Sequence, residues 1–316
     1  MVRIMKIMNL LISLIVPIFN EEENIRELYE RSKKTLEKIG PHEIIFVNDG
    51  SRDKTLEKIL ELAAKDKNVK IIDFSRNFGH QTAIIAGMNN SQGEVVVIMD
   101  GDLQDTPETI LELVKKWKEG YEVVYAKRRT RKDSFFKRAT AYAFYRILKK
   151  IANIDITEDT GDFCLLDKKV VDALKGLKEH SRFVRGLTSW VGFKKGIILF
   201  DREERKRGNT SYSLKKMLKF AYDGITSFSY FPLKMATYLG VFSAFMGFIW
   251  GIYAIYQRIY NPESTVPGWA TVVVAIFFLG GIQLIVLGMI GEYIGRIYTE
   301  AQNRPPYIVR QKINFD

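Results

Sequence analysis

The first half of the chain alternates short apolar runs with stretches in which apolar residues recur at helical spacing. The spacing predicts helices over about residues 23–39, 53–65, 80–90 and 107–118. The apolar runs predict strands over residues 10–16, 43–47, 69–74, 94–99 and 122–126. Strands that alternate with helices of this length are typical of βαβ units, so the pattern predicts an α/β domain with a mainly parallel sheet.

The second half contains two long stretches without any charged residue. They cover 23 positions at 235–257 and 28 positions at 264–291. Crossing the hydrocarbon core of a bilayer takes roughly 20 apolar residues, so we expect two membrane spans, over about 232–257 and 267–293. Residues 213–229 also have helical apolar spacing, with Lys215, Lys216 and Lys219 off the apolar stripe. That pattern favours an amphipathic helix in the membrane interface over an ordinary core-facing helix.

These patterns divide the chain into a folded domain (1–212), a juxtamembrane amphipathic helix (213–231), a two-helix anchor (232–295) and a tail (296–316). The formal net charge is +11, and a basic surface beside an anionic leaflet explains it better than nucleic-acid binding, for which no recognition motif is present. The tail is more basic than the loop between the spans, so the positive-inside rule predicts a cytoplasmic domain and tail. The single cysteine, Cys164, excludes an internal disulfide and fits a reducing compartment.

Polar residues follow the predicted strands, at the sheet edge where α/β proteins bind ligands. No G-x-G-x-x-G follows the first strand, which argues against a dinucleotide oxidoreductase. Asp100-Gly101-Asp102 follows the fourth strand, and residues i and i+2 of a strand point to the same side. Paired carboxylates with substrate phosphates form the usual Mg²⁺ or Mn²⁺ site, to which Gln104 can add a neutral oxygen. The alternative is a polar loop that caps the next helix.

Three motifs together make the chain recognisable. They are Pro17…Asn20-Glu21-Glu22, Asn48-Asp49-Gly50-Ser51…Asp53 and Asp100-x-Asp102-x-Gln104. This set resembles the family-2 glycosyltransferases of GT-A fold. With the two trailing spans, the chain is similar to the polyprenyl-phosphate glycosyltransferases, from about Ile12 to about Gly295. The resemblance implies a Rossmann-like GT-A domain followed by an interfacial helix and two transmembrane helices.

The resemblance also implies how a nucleotide diphosphate sugar would be held. Asp49 and Glu21 would hydrogen-bond the base and ribose, and Asp100 and Asp102 would hold a divalent cation on the diphosphate. The implied donor-binding set is Pro17, Asn20, Glu21, Asp49, Arg76 and Asp100. The implied metal ligands are Asp100, Asp102 and Gln104. Asn-Asp-Gly-Ser is also ordinary turn chemistry, and Arg76 could equally lie on the surface.

The implied acceptor is a polyprenyl phosphate, whose negative charge needs nearby cations. By resemblance, Arg128, Arg138 and Arg205 would bind this phosphate, and Arg205 would lie on a mobile acceptor loop. The alternative is a solvated basic face near the membrane. We expect Asp102, Asp162 and Arg205 to form the catalytic set. For Asp162, orientation of the sugar or acceptor is favoured over a role as general base.

The function that follows is metal-dependent, inverting transfer of a sugar from a UDP-sugar, such as UDP-glucose, to a polyprenyl phosphate. The lipid-linked monosaccharide would serve envelope glycan or glycoprotein assembly, and the enzyme would be a membrane-bound homo-oligomer. One alternative is a dolichyl-phosphate mannose synthase that uses GDP-mannose. A processive polysaccharide synthase is disfavoured, because the Q-x-x-R-W motif and further spans are missing. A non-catalytic nucleotide-binding scaffold is the alternative from another class.

Overall fold

The computed structural model describes residues 10–129, 160–177, 179, 183–201, 231–260 and 268–315. These residues belong to two units. The first contains the described residues up to 201 together with the C-terminal residues from 305 onward. The second contains residues 231–260 and 268–304. The chain therefore returns to its first unit after it has completed the second.

The first unit is built on a mixed sheet of eight strands within the described residues, in the order β7-β5-β6-β4-β1-β2-β3-β8. The strands are β1 Ile12–Ile18, β2 His42–Asn48, β3 Val69–Phe74, β4 Val95–Ile98, β5 Val123–Arg128, β6 Thr160–Asp167, β7 Lys195–Phe200 and β8 Val309–Ile313. The central strands β4, β1, β2 and β3 are mutually parallel. Strand β6 runs antiparallel between β4 and β5, and β8 runs antiparallel to β3. This arrangement is the predicted α/β fold of GT-A type.

Helices cover the sheet, which explains why the central strands β1 and β4 are almost continuous apolar runs. Every residue of β1, β3 and β4 is buried, as expected for parallel strands packed on both faces. The helices of this unit are α1 Ile25–Leu36, α2 Thr55–Lys65, α3 His80–Asn90, α4 Ile110–Lys118, α5 Lys168–Gly176 and α6 Val184–Trp190. A 3₁₀ turn, Pro107–Thr109, precedes α4. The fixed φ of Pro107 suits the first turn of a helix.

The sequence predicts the centres of the first five strands correctly. The third strand matches at both ends, and the others differ by one or two residues at each end. Helix α3 also matches the predicted residues 80–90. Strands β6, β7 and β8 are not among the predicted strands. Strands β6 and β8 run antiparallel to their neighbours, so the mainly parallel sheet is mixed.

The second unit consists of two long apolar helices that contact each other, α7 Phe231–Tyr260 and α8 Trp269–Ala301. Each contains a segment long and apolar enough to span a membrane, Leu233–Tyr253 and Val274–Ala301. These segments overlap the two predicted spans. Glu292 and Arg296 form an i,i+4 ion pair with a nitrogen–oxygen distance of 3.2 Å within α8. The predicted juxtamembrane helix over 213–231 falls almost wholly outside the described residues.

The C-terminal segment differs from the plain tail that the sequence predicts from residue 296. Helix α8 continues to Ala301, and Val309–Ile313 then forms the edge strand β8 of the first unit. Its register pairs Ile313 with Ile71 and Val309 with Phe74. The folded domain is therefore completed by residues from both ends of the chain.

Candidate active site

The loops after β1 and β2 are joined by hydrogen bonds between side chains and backbone. Asn20 has a positive φ of 55°. Its Oδ1 accepts a hydrogen bond from the backbone N–H of Arg52 at 2.8 Å. The backbone N–H of Glu21 donates to Thr55 Oγ1 at 2.9 Å, and the Glu21 carboxylate accepts from Asn24 at 2.6 Å. Two of the three motifs that carry the sequence resemblance are thus joined at the carboxyl edge of the sheet.

Asp49 ties this surface to the loop after β3. Its Oδ1 accepts from the backbone N–H of Phe78 at 2.7 Å, and its Oδ2 accepts from that of Gly79 at 3.0 Å. The neighbouring Gly50 has a positive φ of 70°, and a Cβ there would lie 2.6 Å from the backbone nitrogen of Asn77. Only glycine combines this backbone conformation with such close packing. Burial raises the pKa of Asp49, and the two backbone N–H donors oppose that rise.

Asp100 and Asp102 lie in the turn after β4, directly beside the end of β1. A Cβ on the intervening Gly101 would lie 2.8 Å from the Ile18 side chain, so the turn packs tightly against that strand. Asp102 Oδ1 accepts from the backbone N–H of Gln104 at 3.1 Å, which closes the turn. Both carboxylates are thereby held at the same sheet edge as Asp49.

His80, at the start of α3, lies between the turn after β4 and strand β6. Its Nε2 is 3.4 Å from Asp100 Oδ1 and 3.3 Å from Asp162 Oδ2. Asp162 also accepts from Gln81 at 2.9 Å and from the Arg185 guanidinium at 3.0 Å. The predicted residues Asp100 and Asp162 are thus brought together through His80.

The charges of this cluster shift its protonation equilibria. Burial opposes ionisation of Asp162, but the hydrogen bond from His80 and the positive charge of Arg185 outweigh it and hold the pKa of Asp162 well below its usual range. Burial would lower the pKa of His80, but the hydrogen bond to Asp162 and the charges of Asp100, Asp162 and Asp49 raise it to about 9. The His80 side chain is 43% exposed, so solvent screens these charges in part. At neutral pH the cluster contains an ionised Asp162 beside a protonated His80.

The remaining predicted residues have less defined surroundings. Pro17 lies inside β1 and pairs with Val47 of β2. The Arg76 guanidinium lies over the Phe78 ring at 4.0 Å and donates to the backbone carbonyl of Asn77. Arg128 is the last residue of β5. Arg138 and Arg205 lie outside the described residues.

Two residues that sequence reasoning missed belong to this site. Gln81 bridges Asp162 and Val184. Its Nε2 donates to the Asp162 carboxylate, and its Oε1 accepts a hydrogen bond from the backbone N–H of Val184 at 3.0 Å. Arg185 supplies the cation that pairs with Asp162. Neither lies in a motif, and Arg185 is distant from Asp162 along the chain, so no spacing pattern could have connected them.

A divalent cation at this edge would need ligands beyond the protein. Within the described residues, no group of three His, Cys, Asp or Glu side chains is arranged to hold a metal ion. Asp100 and Asp102 nevertheless supply hard carboxylate oxygens from one turn, which suits Mg²⁺ or Mn²⁺ when phosphate oxygens complete the coordination. Such a donor set fits a cation that binds together with a nucleotide diphosphate.

Comparison with known proteins identifies the family. The model of glycosyl transferase family 2 matches residues 13–175, and that of the GtrB C-terminal hairpin matches residues 231–297. The "Uncharacterized glycosyltransferase YkcC" of Bacillus subtilis (strain 168) is 51% identical, over 96% of this chain and 94% of that protein. The "SfII prophage-derived bactoprenol glucosyl transferase" of Shigella flexneri is 43% identical, over 95% and 97%. The "Prophage bactoprenol glucosyl transferase homolog" of Escherichia coli (strain K12) is 43% identical, over 95% and 98%. The chain is a glycosyltransferase that belongs to family 2 and carries a GtrB-type C-terminal hairpin.

Proposed function

We propose that this glycosyltransferase moves a hexose, preferably glucose, from a UDP-sugar to a polyprenyl phosphate. The observation that carries the proposal is the likeness to proteins named bactoprenol glucosyl transferases. It reaches 43% identity and extends over 95% of the chain, through both the transferase domain and the apolar hairpin. Binding of a lipid-linked acceptor explains why a transferase would retain two apolar helices.

In this proposal the donor nucleotide binds to the joined loops after β1, β2 and β3. Asp49 and Glu21 accept hydrogen bonds from the base and ribose, and Asn20 and Arg76 lie beside them. Burial raises the pKa of Asp49, and the backbone N–H groups of Phe78 and Gly79 oppose this rise by stabilising its ionised form. A carboxylate can then accept from an N–H of the base, as a uracil would offer.

Asp100 and Asp102, with Gln104, are the proposed ligands of Mg²⁺ or Mn²⁺ on the donor diphosphate. When bound, the cation stabilises the negative charge that develops on the leaving nucleotide. The protein's part is to hold two carboxylates in one rigid turn, with Gly101 packed on Ile18. The geometry of the turn is thus set by the sheet before the donor arrives.

The proposed chemistry needs no proton acceptor. An oxygen of the lipid phosphate attacks the anomeric carbon, a carbon–oxygen bond forms, and the bond from that carbon to UDP breaks with inversion. A phosphate monoester has its second pKa near 6, so at neutral pH the nucleophile is already largely dianionic. Asp162, ionised and held by His80 and Arg185, then orients sugar hydroxyls by accepting their hydrogen bonds. Arg128, Arg138 and Arg205 would hold the acceptor phosphate.

We also infer that the transferase domain and the C-terminus share the cytoplasmic side of the membrane. Strand β8 pairs with β3, so residues 309–313 and 69–74 occupy the same compartment. The chain between them must then cross the membrane an even number of times. Two crossings by α7 and α8 meet this requirement, and the basic residues of the tail favour the cytoplasm.

A transfer assay on the full-length protein in detergent tests the proposal. It would contain undecaprenyl phosphate, Mg²⁺ or Mn²⁺ and a panel of UDP- and GDP-sugars, with the labelled lipid product as readout. We expect product from UDP-glucose, loss of product with a chelator, and no turnover by Asp102→Asn. Glu112→Gln, which removes an exposed carboxylate of α4, is the matched control and should retain activity.

The other outcomes separate the alternatives. Product from GDP-mannose alone would support the mannose synthase. Measurable UDP binding without product from any donor would support the non-catalytic scaffold. Full activity of Asp102→Asn would contradict the assignment of the metal ligands.

A further inference from the structure

The C-terminal segment 305–315 lies beyond the residues matched by both family models, which end at 175 and 297. It nevertheless belongs to the transferase unit, where β8 covers the edge of β3. Strand β3 leads directly into the loop of residues 75–79, whose backbone N–H groups at Phe78 and Gly79 hydrogen-bond Asp49. We name it the donor loop, because Asp49 is a proposed ligand of the donor nucleotide. The backbone N–H of Ser75, the first residue of this loop, donates to the carbonyl of Ile308 at 3.0 Å. The segment therefore contacts the part of the sheet from which the proposed nucleotide site is built.

One chain of contacts runs from Tyr307 to Asp49 through aromatic rings. The Tyr307 ring stacks on Phe74, with 5.1 Å between centroids and an interplanar angle of 22°. Phe74, wholly buried, meets Phe78 edge to face at 5.6 Å. The backbone N–H of Phe78 is the 2.7 Å donor to Asp49. Tyr307 thus packs against the Phe74–Phe78 ring pair, which helps to position the backbone N–H of Phe78 that donates to Asp49.

A second chain of contacts runs from Arg310 to the loop after β2. The Arg310 guanidinium lies 3.8 Å from Oδ2 of Asp73, which is 1% exposed, and it also donates to the Ser75 carbonyl at 3.1 Å. Asp73 Oδ1 accepts from the Asn48 amide at 2.7 Å, and Asn48 Oδ1 accepts from the backbone N–H of Ser51 at 3.2 Å. Arg310 therefore offsets a buried charge that orients the first residue of the Asn-Asp-Gly-Ser motif.

We propose that Tyr307 and Arg310 are positioning residues for the donor nucleotide, an inference that rests on the proposed function of the Asp49 loops. Both chains of contacts, one aromatic and one ionic, end on residues 48–51. These residues have little room to adjust on their own, because Gly50 is packed against the backbone of Arg76 and Asn77. A shift of the donor loop would be transmitted to the Asp49 carboxylate. The strand after the hairpin thereby contributes to nucleotide affinity without touching the nucleotide.

Calorimetric titration of UDP with Mn²⁺ into the full-length protein in detergent tests this inference. Tyr307→Ala and Arg310→Ala should each raise the UDP Kd by roughly two- to tenfold, the range expected for loss of one aromatic pair or one partly buried ion pair. Tyr307→Phe keeps the stacked ring and should restore wild-type affinity. Lys312→Ala is the matched control. It removes a cation of the same strand that contacts Asn90 of α3 and not the donor loop.

Steady-state kinetics supply the readout that a merely structural role would not move. The KM for the UDP-sugar should rise in Tyr307→Ala and Arg310→Ala, while kcat and the KM for the lipid phosphate stay at wild-type values. Wild-type UDP affinity in both alanine variants would overturn the inference. So would an equal loss of affinity in Lys312→Ala, because the segment would then act only through general stability. If the unsubstituted protein failed to bind UDP, both this inference and the proposed function would fail.

Discussion

Gly50 is the residue of the proposed nucleotide site at which one added methyl group should do the most damage. Its φ is 70°, and an alanine Cβ would lie 2.6 Å from both the carbonyl carbon of Arg76 and the nitrogen of Asn77. Left-handed backbone costs an L-residue roughly 1–2 kcal/mol. The overlap involves backbone atoms that no rotamer change can move, and overpacking of this kind adds about 1–3 kcal/mol. Gly50→Ala should therefore cost about 2–5 kcal/mol.

Gly120 provides a matched control for this substitution. Its φ is 95°, but nothing lies within 4 Å of the place where its Cβ would be. Gly120→Ala should therefore pay the backbone cost alone, about 1–2 kcal/mol. For a domain of this size, 1 kcal/mol lowers the unfolding midpoint by roughly 2–4 °C. The midpoint should fall by roughly 4–20 °C in Gly50→Ala and by roughly 2–8 °C in Gly120→Ala.

The two variants should differ most in nucleotide binding. Relief of the overlap at Gly50 must push the loop after β2 away from the donor loop, which separates Asp49 from its backbone donors at Phe78 and Gly79. Titration of UDP should then show strongly weakened binding to Gly50→Ala and unchanged binding to Gly120→Ala. Measurement well below both unfolding midpoints separates this effect from unfolding. Wild-type UDP affinity in Gly50→Ala would refute the claim that the packing of these loops forms the nucleotide site.

Two further predictions follow from the buried charges. Asp162→Asn should lower kcat for sugar transfer by roughly 10- to 100-fold, the loss expected for one charge-assisted hydrogen bond. The affinity for UDP should stay unchanged, and weaker UDP binding at normal kcat would contradict the orienting role. Lys70→Met should lower the thermal midpoint markedly, because Lys70 Nζ lies 2.7 Å from the buried Glu43 carboxylate, and loss of one partner of a buried pair costs about 3–5 kcal/mol. The double variant Glu43→Gln/Lys70→Met should recover part of this loss, and an equal or lower midpoint than in Lys70→Met would show that the pair is not the cause.

The sequence predicts best those elements that are buried on both faces. Strands β1 and β4 are almost purely apolar, β2 and β3 have apolar centres, and the polar loops after these strands mark the sheet edge unambiguously. Strand β8 has no such signal. Its residues are Val-Arg-Gln-Lys-Ile, and the three polar positions are exposed while the two apolar ends are only partly buried. Edge strands commonly carry charges that prevent pairing with other chains. The sequence of such a strand therefore resembles that of a polar tail.

The residues of the candidate site also differ in how well the sequence predicts them. Motif spacing predicts that Asp49, Asp100 and Asp102 lie at the carboxyl edge of the sheet, because each follows a strand whose position is itself predictable. The partners of Asp162 are not predictable in this way. Arg185 reaches it from helix α6 and His80 from helix α3. These contacts depend on how the helices pack against the sheet, and this packing cannot be deduced from one sequence.

The electrostatics of the site support the proposed divalent cation independently of the sequence motif. Asp100 and Asp162 contact the partly exposed imidazole of His80, and the charge of Asp49 also raises its pKa, so three carboxylates act on one histidine. Even with His80 protonated and Arg185 beside Asp162, a donor diphosphate would add further negative charge to this edge. In the proposed reaction a dianionic lipid phosphate must then approach as well. The proposed cation on Asp100 and Asp102 and the proposed arginines around the acceptor would therefore have complementary tasks. In the proposed reaction the cation would offset the charge of the donor diphosphate in a carboxylate-rich site, and the arginines would offset the repulsion between the acceptor phosphate and the donor.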